Sequence, residues 1–380
     1  MRQVDKIFKP ISPVNHCTND KNKKHKIYLT GKMFCSISIF TLLEHIKYIV
    51  ENKINLNQLN IIVNTKYIAD EATLILFETI VYYLLKNNIC NVVYTFIVDK
   101  KLLGYEHFKN SNLFKYNTKK INKEDFIKLY ETETYIFQNH FRKICINNEE
   151  NKKGMFLSVL ISDITTFLSS YNIEESYAEE LSEVITEIVG NSLEHSDGDC
   201  ILDIKVVVDE IQKYKSINVT TVTISDTLIG SKIQKYIEEN NKELYSPRNE
   251  IVLKAYENHK KLFSKTYDIN TFSTISAFQK YVTTRENAKM SGGTGLTTLI
   301  KQLKAKAKED YCYVLNGDDI IYFNEPYLDL TGEGLIGFNE NNDYLTNKPS
   351  DKIVYKHKNK FNGTIYNLSF ILEERKEDNE

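Results

Sequence analysis

The stretch that decides the reading is SYAEELSEVITEIVGNSLEHSDGD, residues 176–199. Leu181, Val184, Ile185, Ile188 and Leu193 recur at helical spacing, so one face of this segment belongs in a core. Glu183, Glu187, Asn191 and His195 follow one another at four-residue steps and form a single polar row. A solvated helix face usually mixes Lys with Glu, whereas this row offers two carboxylates, a carboxamide and an imidazole. Carboxylate and carboxamide oxygens suit a hard cation such as Mg²⁺, which keeps most of its waters and also takes phosphate oxygens.

Two further signals follow in order. The run Ile224-Ser225-Asp226-Thr227-Leu228-Ile229-Gly230 places an acidic residue at a strand end with a glycine four positions on. The run Ser291-Gly292-Gly293-Thr294-Gly295-Leu296 places glycines at the opening of a helix. Such an opening brings backbone N–H groups and the positive end of a helix dipole up to phosphate.

An E-x-x-x-N helix, an Asp-led turn and a late G-x-G-L resemble the three boxes of the GHKL ATPase superfamily, which has the Bergerat ATP-binding fold. Its members include sensor histidine kinases, anti-sigma-factor serine kinases and gyrase-type topoisomerases. The resemblance covers roughly residues 154–375 and implies an α+β fold with helices on one face of a mixed sheet, a two-layer sandwich. It also implies ATP and Mg²⁺ as cofactors. Asn191 takes the metal-coordinating position, and Glu187 the place of the residue that activates water or a hydroxyl. Asp226 takes the place of the acceptor for the adenine amino group.

Gly230 matches the second glycine of the D-x-G-x-G pattern, but Leu228 stands where the first is expected. Leu228 either covers the adenine or tightens the pocket. Gly293, Thr294, Gly295 and Leu296 match G-x-G-L and are expected at the phosphates. Tyr281-Val282-Thr283-Thr284-Arg285 resembles a lid segment, so Arg285 or Lys289 is a candidate donor to the γ-phosphate. His195 either reaches phosphate or neutralises the helix C-terminus. Glu183 reads as surface.

The rest of the chain divides around this unit. Residues 1–24 read as a flexible arm with Pro10 and Pro13. Over 25–110 strand and helix patterns alternate: a strand at His25–Thr30, a helix at Ser38–Glu51 and a strand at Leu59–Val63. A helix at Ala69–Lys86 and a strand at Val92–Val98 complete a small parallel or mixed α/β sheet. The order and the turn Tyr67–Ala72 resemble a STAS-like domain, although no Ser or Thr stands in that turn to serve as a phosphoacceptor. Residues 111–153 read as a linker with a helical, aromatic-rich patch from Phe126 to Phe141, either a connection or part of a homodimer surface. Residues 231–291 read as a long insertion with helical patches, one of them opening at Ser246-Pro247, and are expected to form a lid.

The bulk numbers narrow the function classes. With 380 residues and 42% hydrophobic content the chain has room for two cores. A formal charge of −2 gives no electrostatic footprint for nucleic acid. Six scattered cysteines read as reduced thiols, and no apolar run is long enough to span a bilayer, so a cytoplasmic protein is expected. No histidine is followed by Glu or Asp, which argues against self-phosphorylation. The expectation is a Mg·ATP-binding regulator with slow hydrolysis or phosphoryl transfer, its lid ordered by nucleotide. The alternatives are a non-catalytic ATP-gated interaction switch with a protein partner, or an anti-sigma-like Ser/Thr kinase.

Overall fold

The computed structural model describes residues 24–52, 54–98, 113, 116–137, 139–151, 154–209, 214–239, 249–280, 282, 295–306, 312–357 and 360–373. The chain divides into two compact units, 1–135 and 136–380. Both helices and strands build them, so the fold class is α+β.

In the first unit, β1 (Lys24–Phe34), β2 (Gln58–Ile68) and β3 (Asn91–Val98) form a parallel sheet in the order β1-β2-β3. Parallel neighbours need a crossover, supplied by α1 (Ser36–Glu51) and α2 (Glu71–Lys86). Leu59, Ile61 and Val63 of the central strand are fully buried at alternate positions, the pattern of one pleated face in a core. The turn Tyr67–Ala72 has a local structural task. Asp70 caps α2, accepting from the Thr73 backbone N–H at 2.8 Å and from its hydroxyl at 2.6 Å.

The expected linker over 111–153 takes another form. It contains α3 (Lys123–Tyr130), β4 (Thr134–Phe137) and β5 (His140–Cys145), and the two strands belong to the larger sheet. The helix expected from Phe126 to Phe141 therefore ends at Tyr130. The run His140–Cys145, buried at every position, instead pairs antiparallel with the strand Cys200–Asp209. On α3, Tyr130 stacks on Tyr82 of α2 at 4.2 Å, and its hydroxyl meets that of Thr79 at 2.7 Å.

The second unit is built on an eight-stranded sheet in the order β10-β9-β8-β11-β7-β6-β5-β4. Its other strands are β6 (Cys200–Asp209), β7 (Tyr214–Ile224), β8 (Tyr313–Asn316), β9 (Asp319–Tyr322), β10 (Val354–Lys356) and β11 (Gly363–Glu373). From β10 to β5 every neighbouring pair is antiparallel, where a mixed sheet was expected. The connection from β5 to β6 passes through α4 (Gly154–Ser169) and α5 (Glu175–His195), and β6 pairs antiparallel with β5. The late strand β11 pairs with β7 along its whole length and with β8 on its other edge, which closes the sheet through its centre.

One buried cluster joins Cys200, Leu202, Ile204 and Val206 of β6 with Tyr366, Leu368 and Phe370 of β11. The same cluster takes in the apolar stripes of α4, α5 and α9 (Gly295–Lys306), so the helices cover this sheet face. The segment 231–291 contains helices, as its pattern predicts: α6 (Ser231–Glu239), α7 (Asn249–His259) and α8 (Ile269–Ser276), with residues 271–276 of α8 all buried. On β5 and β6, Asp203 faces Arg142 across the ladder, accepting from its Nε at 2.8 Å, with His140 at 2.7 Å. Burial alone would raise the Asp203 carboxyl, but the charges of His140 and Arg142 outweigh it and hold it well below the usual carboxylate range. Among the described residues, no helix is long and apolar enough to cross a membrane.

Candidate functional site

The amphipathic pattern of α5 sets up the site. Leu181, Val184, Ile185, Ile188, Val189 and Leu193 are buried against the sheet, which turns the polar row aside. Glu187, Asn191 and His195 then line a cleft of about 120 Å³, while Glu183, one turn earlier, is exposed and outside it. The last turn of α5 carries His195, where an imidazole also answers the negative end of the helix dipole.

The floor comes from the sheet. Thr223 of β7 and Thr364 of β11 are direct cross-strand partners, and both line the cleft with Tyr366. Their ladder demands the glycine before Thr364, because a Cβ on Gly363 would fall 2.2 Å from the Thr223 carbonyl oxygen.

The opposite wall is the turn after β7. Thr227, Leu228, Ile229 and Gly230 line the cleft, with Lys232 and Ile233 at the start of α6. Leu228 is part of this wall and lies against Gly317, where a Cβ would be 2.7 Å from its Cδ1. Gly230 has φ +82°, the left-handed region that glycine enters without penalty. Asp226, expected at the adenine amino group, is exposed, and the structure does not bring it into the lining. Beneath it, the Ser225 hydroxyl donates to Asp197 at 2.5 Å and accepts from the Thr227 backbone N–H at 2.9 Å. That pair ties the loop after α5 to the turn after β7.

The third stretch arrives with Leu296, in the first turn of α9, which also lines the cleft. Gly295 opens that helix. Arg285, Lys289, Gly293 and Thr294 lie outside the described residues.

Several residues that shape the site carry no motif. Asn316 is buried and uses its whole amide. Its Oδ1 accepts from the Ile229 backbone N–H at 3.0 Å and from the Thr364 hydroxyl at 2.8 Å. Its Nδ2 donates to the Ile229 carbonyl at 3.1 Å and to the Thr274 hydroxyl at 2.9 Å. One side chain thus fixes the turn, the floor and α8 together. In the sequence it precedes Gly317-Asp318 and reads only as a hairpin turn residue. Lys232 was hidden as an ordinary surface lysine of an amphipathic helix.

Behind the turn lies a charged cluster. Lys356 Nζ meets Asp319 at 3.0 Å and Asp268 and Asp318 at 3.2 Å each, and the Thr271 hydroxyl donates to Asp319 at 2.6 Å. Burial pushes the Asp319 carboxyl up to about 6, against the opposing pull of Lys356 and Thr271.

A carboxamide and a carboxylate one turn apart at a half-open cleft are a donor set that fits Mg²⁺ bound mainly through water and phosphate. The mixed apolar and hydroxyl lining, with Ile188, Ile229, Leu296 and three threonines, fits an organic ring held by a few polar contacts. No family model, curated protein or solved structure matches the chain.

Proposed function

We propose that the cleft binds ATP with Mg²⁺, and that the protein is a nucleotide-dependent regulator of the GHKL type with slow hydrolysis or phosphoryl transfer. The observation that carries this reading is convergence. The polar row of α5, the turn 227–230 and the opening of α9 are separated by up to about a hundred residues in sequence and line one cavity.

In this reading Asn191 holds the hydrated cation through its side-chain oxygen. Bound Mg²⁺ would neutralise phosphate charge and orient the terminal phosphoryl group. Glu187 accepts the proton of the attacking water or hydroxyl as its oxygen bonds to the γ-phosphorus and the bond to the ADP oxygen breaks. Thr223 and Thr364 present hydroxyls at the floor, and Leu228 and Leu296 exclude water from the ring.

The test is incubation of the full chain with Mg²⁺ and γ-labelled ATP beside Glu187→Ala. Release of labelled phosphate, lost in the variant while ATP still binds, is the expected result. Equal turnover by the variant would take Glu187 out of the chemistry. If wild type binds ATP but neither releases phosphate nor becomes labelled, and labels no added Ser/Thr substrate, the non-catalytic switch replaces this reading.

A further inference from the structure

The cleft carries a cation that no part of the nucleotide motif accounts for. Lys232 lines it, and among the described residues its one hydrogen-bonding partner is His195, whose Nδ1 lies 3.2 Å from the lysine Nζ. An ammonium can only donate, so the imidazole Nδ1 accepts there. Neither bond nor burial holds Lys232 in place for the sake of the fold: its side chain is exposed and makes no ion pair with a described carboxylate.

Its position also runs against helix electrostatics. Lys232 is in the first turn of α6, at the positive end of the dipole, where a cation is disfavoured and acidic residues are the rule. No acidic residue occupies that turn. The apolar residues Ile233 and Tyr236 anchor α6 in the protein, so the helix does not need this lysine for packing. A positive side chain placed at an unfavourable helix end, beside an imidazole and on the wall of a cleft, is arranged for an anion that enters the cleft.

We infer that Lys232, oriented by His195, is an anion-binding residue that receives the polyphosphate tail of the nucleotide, beside the oxygen-donor row of Asn191 and Glu187. This inference rests on the nucleotide reading above and extends it to the ligand class: a nucleoside di- or triphosphate is selected over the nucleoside. Lys232 donates a charge-assisted hydrogen bond to a phosphate oxygen. His195 orients the ammonium toward the cleft.

The experiment is calorimetric titration of the full chain with Mg·ATP and, separately, with adenosine, at low and at high salt. Lys232→Gln is expected to weaken Mg·ATP about tenfold, the worth of one charge-assisted hydrogen bond. It should leave adenosine binding unchanged and flatten the salt dependence of Mg·ATP binding. Lys232→Arg should retain most of the affinity. If Lys232→Gln binds Mg·ATP as wild type does, or loses adenosine to the same extent, the inference is wrong. Wild type binding adenosine as tightly as Mg·ATP would overturn the anion-binding role and leave the base site standing. Wild type binding neither would overturn the nucleotide reading itself, and this inference with it.

Discussion

Gly230 lies so close beneath Ser273 that a Cβ on the glycine would stand 2.4 Å from the Ser273 carbonyl carbon. The turn that lines the cleft and the buried helix α8 are therefore packed backbone to backbone. A side chain at 230 meets two penalties, a positive φ and an overlap with an element that has no room to retreat.

Gly230→Ala should accordingly lower stability by at least about 2 kcal/mol, since the left-handed conformation alone costs roughly 1–2 kcal/mol. Chemical denaturation measures it. A loss of a few tenths of a kcal/mol would mean that α8 shifts freely, and that the glycine is not a structural requirement.

Asn316 makes a second prediction about the same turn. Replacing it with Leu keeps the approximate volume but strands the Ile229 N–H and the Thr364 hydroxyl, while the Thr274 hydroxyl keeps the Asn270 carbonyl. Each buried group left without a partner costs about 1–3 kcal/mol. The variant should lose on the order of 3 kcal/mol in denaturation, and any ligand of the cleft should bind more weakly because both turn and floor relax. Unchanged stability would show that water replaces the amide.

Asp319 predicts a pH dependence. Its carboxyl is raised from an ordinary 3.8 to about 6 in the folded chain. The folded state therefore holds the proton more tightly than the unfolded state. The contribution is fully present below about pH 4 and is lost as pH rises through 6, a change of at most about 3 kcal/mol. Asp203 acts in the opposite sense: its depressed carboxyl contributes above pH 4, and that stability is lost in stronger acid. The difference between wild type and Asp319→Asn isolates the first effect. Stability curves for the two proteins should converge in slope above pH 7 and diverge between pH 4 and 6. Parallel curves throughout would remove Asp319 as the source.

How much of this was legible in the sequence depended on whether the signal was local. The helix 175–195 was readable because its apolar stripe and its polar row are both periodic within one element. The antiparallel sheet was not, because its order depends on long-range pairings such as that of β11 with β7 and β8, which leave no local pattern. The strand β4 falls inside the stretch whose aromatic pattern predicts helix, because aromatic residues fit either period over so short a run. Asp226 was placed in the site by its motif position, but the side chain is exposed at the strand end. Asn316 and Lys232 carry no local signature: one reads as a turn, the other as a solvated lysine, and only the tertiary fold brings them to the cleft.

Asn191 offers the sharpest separation of fold from ligand. It is half-buried on the cleft side of α5, with Ile188 and Leu193 on the core side holding the helix in place. Asn191→Ala removes the carboxamide without disturbing that stripe, and alanine is the better helix former, so stability should change by less than about 0.5 kcal/mol. Binding should respond differently. With Mg²⁺ present the affinity for ATP should fall at least about tenfold, since a cation bound through few protein oxygens loses its only carboxamide ligand. With the metal chelated, wild type and variant should bind equally weakly. Equal Mg·ATP affinity in both proteins, measured beside equal stability, would place the metal elsewhere and remove the oxygen-donor row from the site.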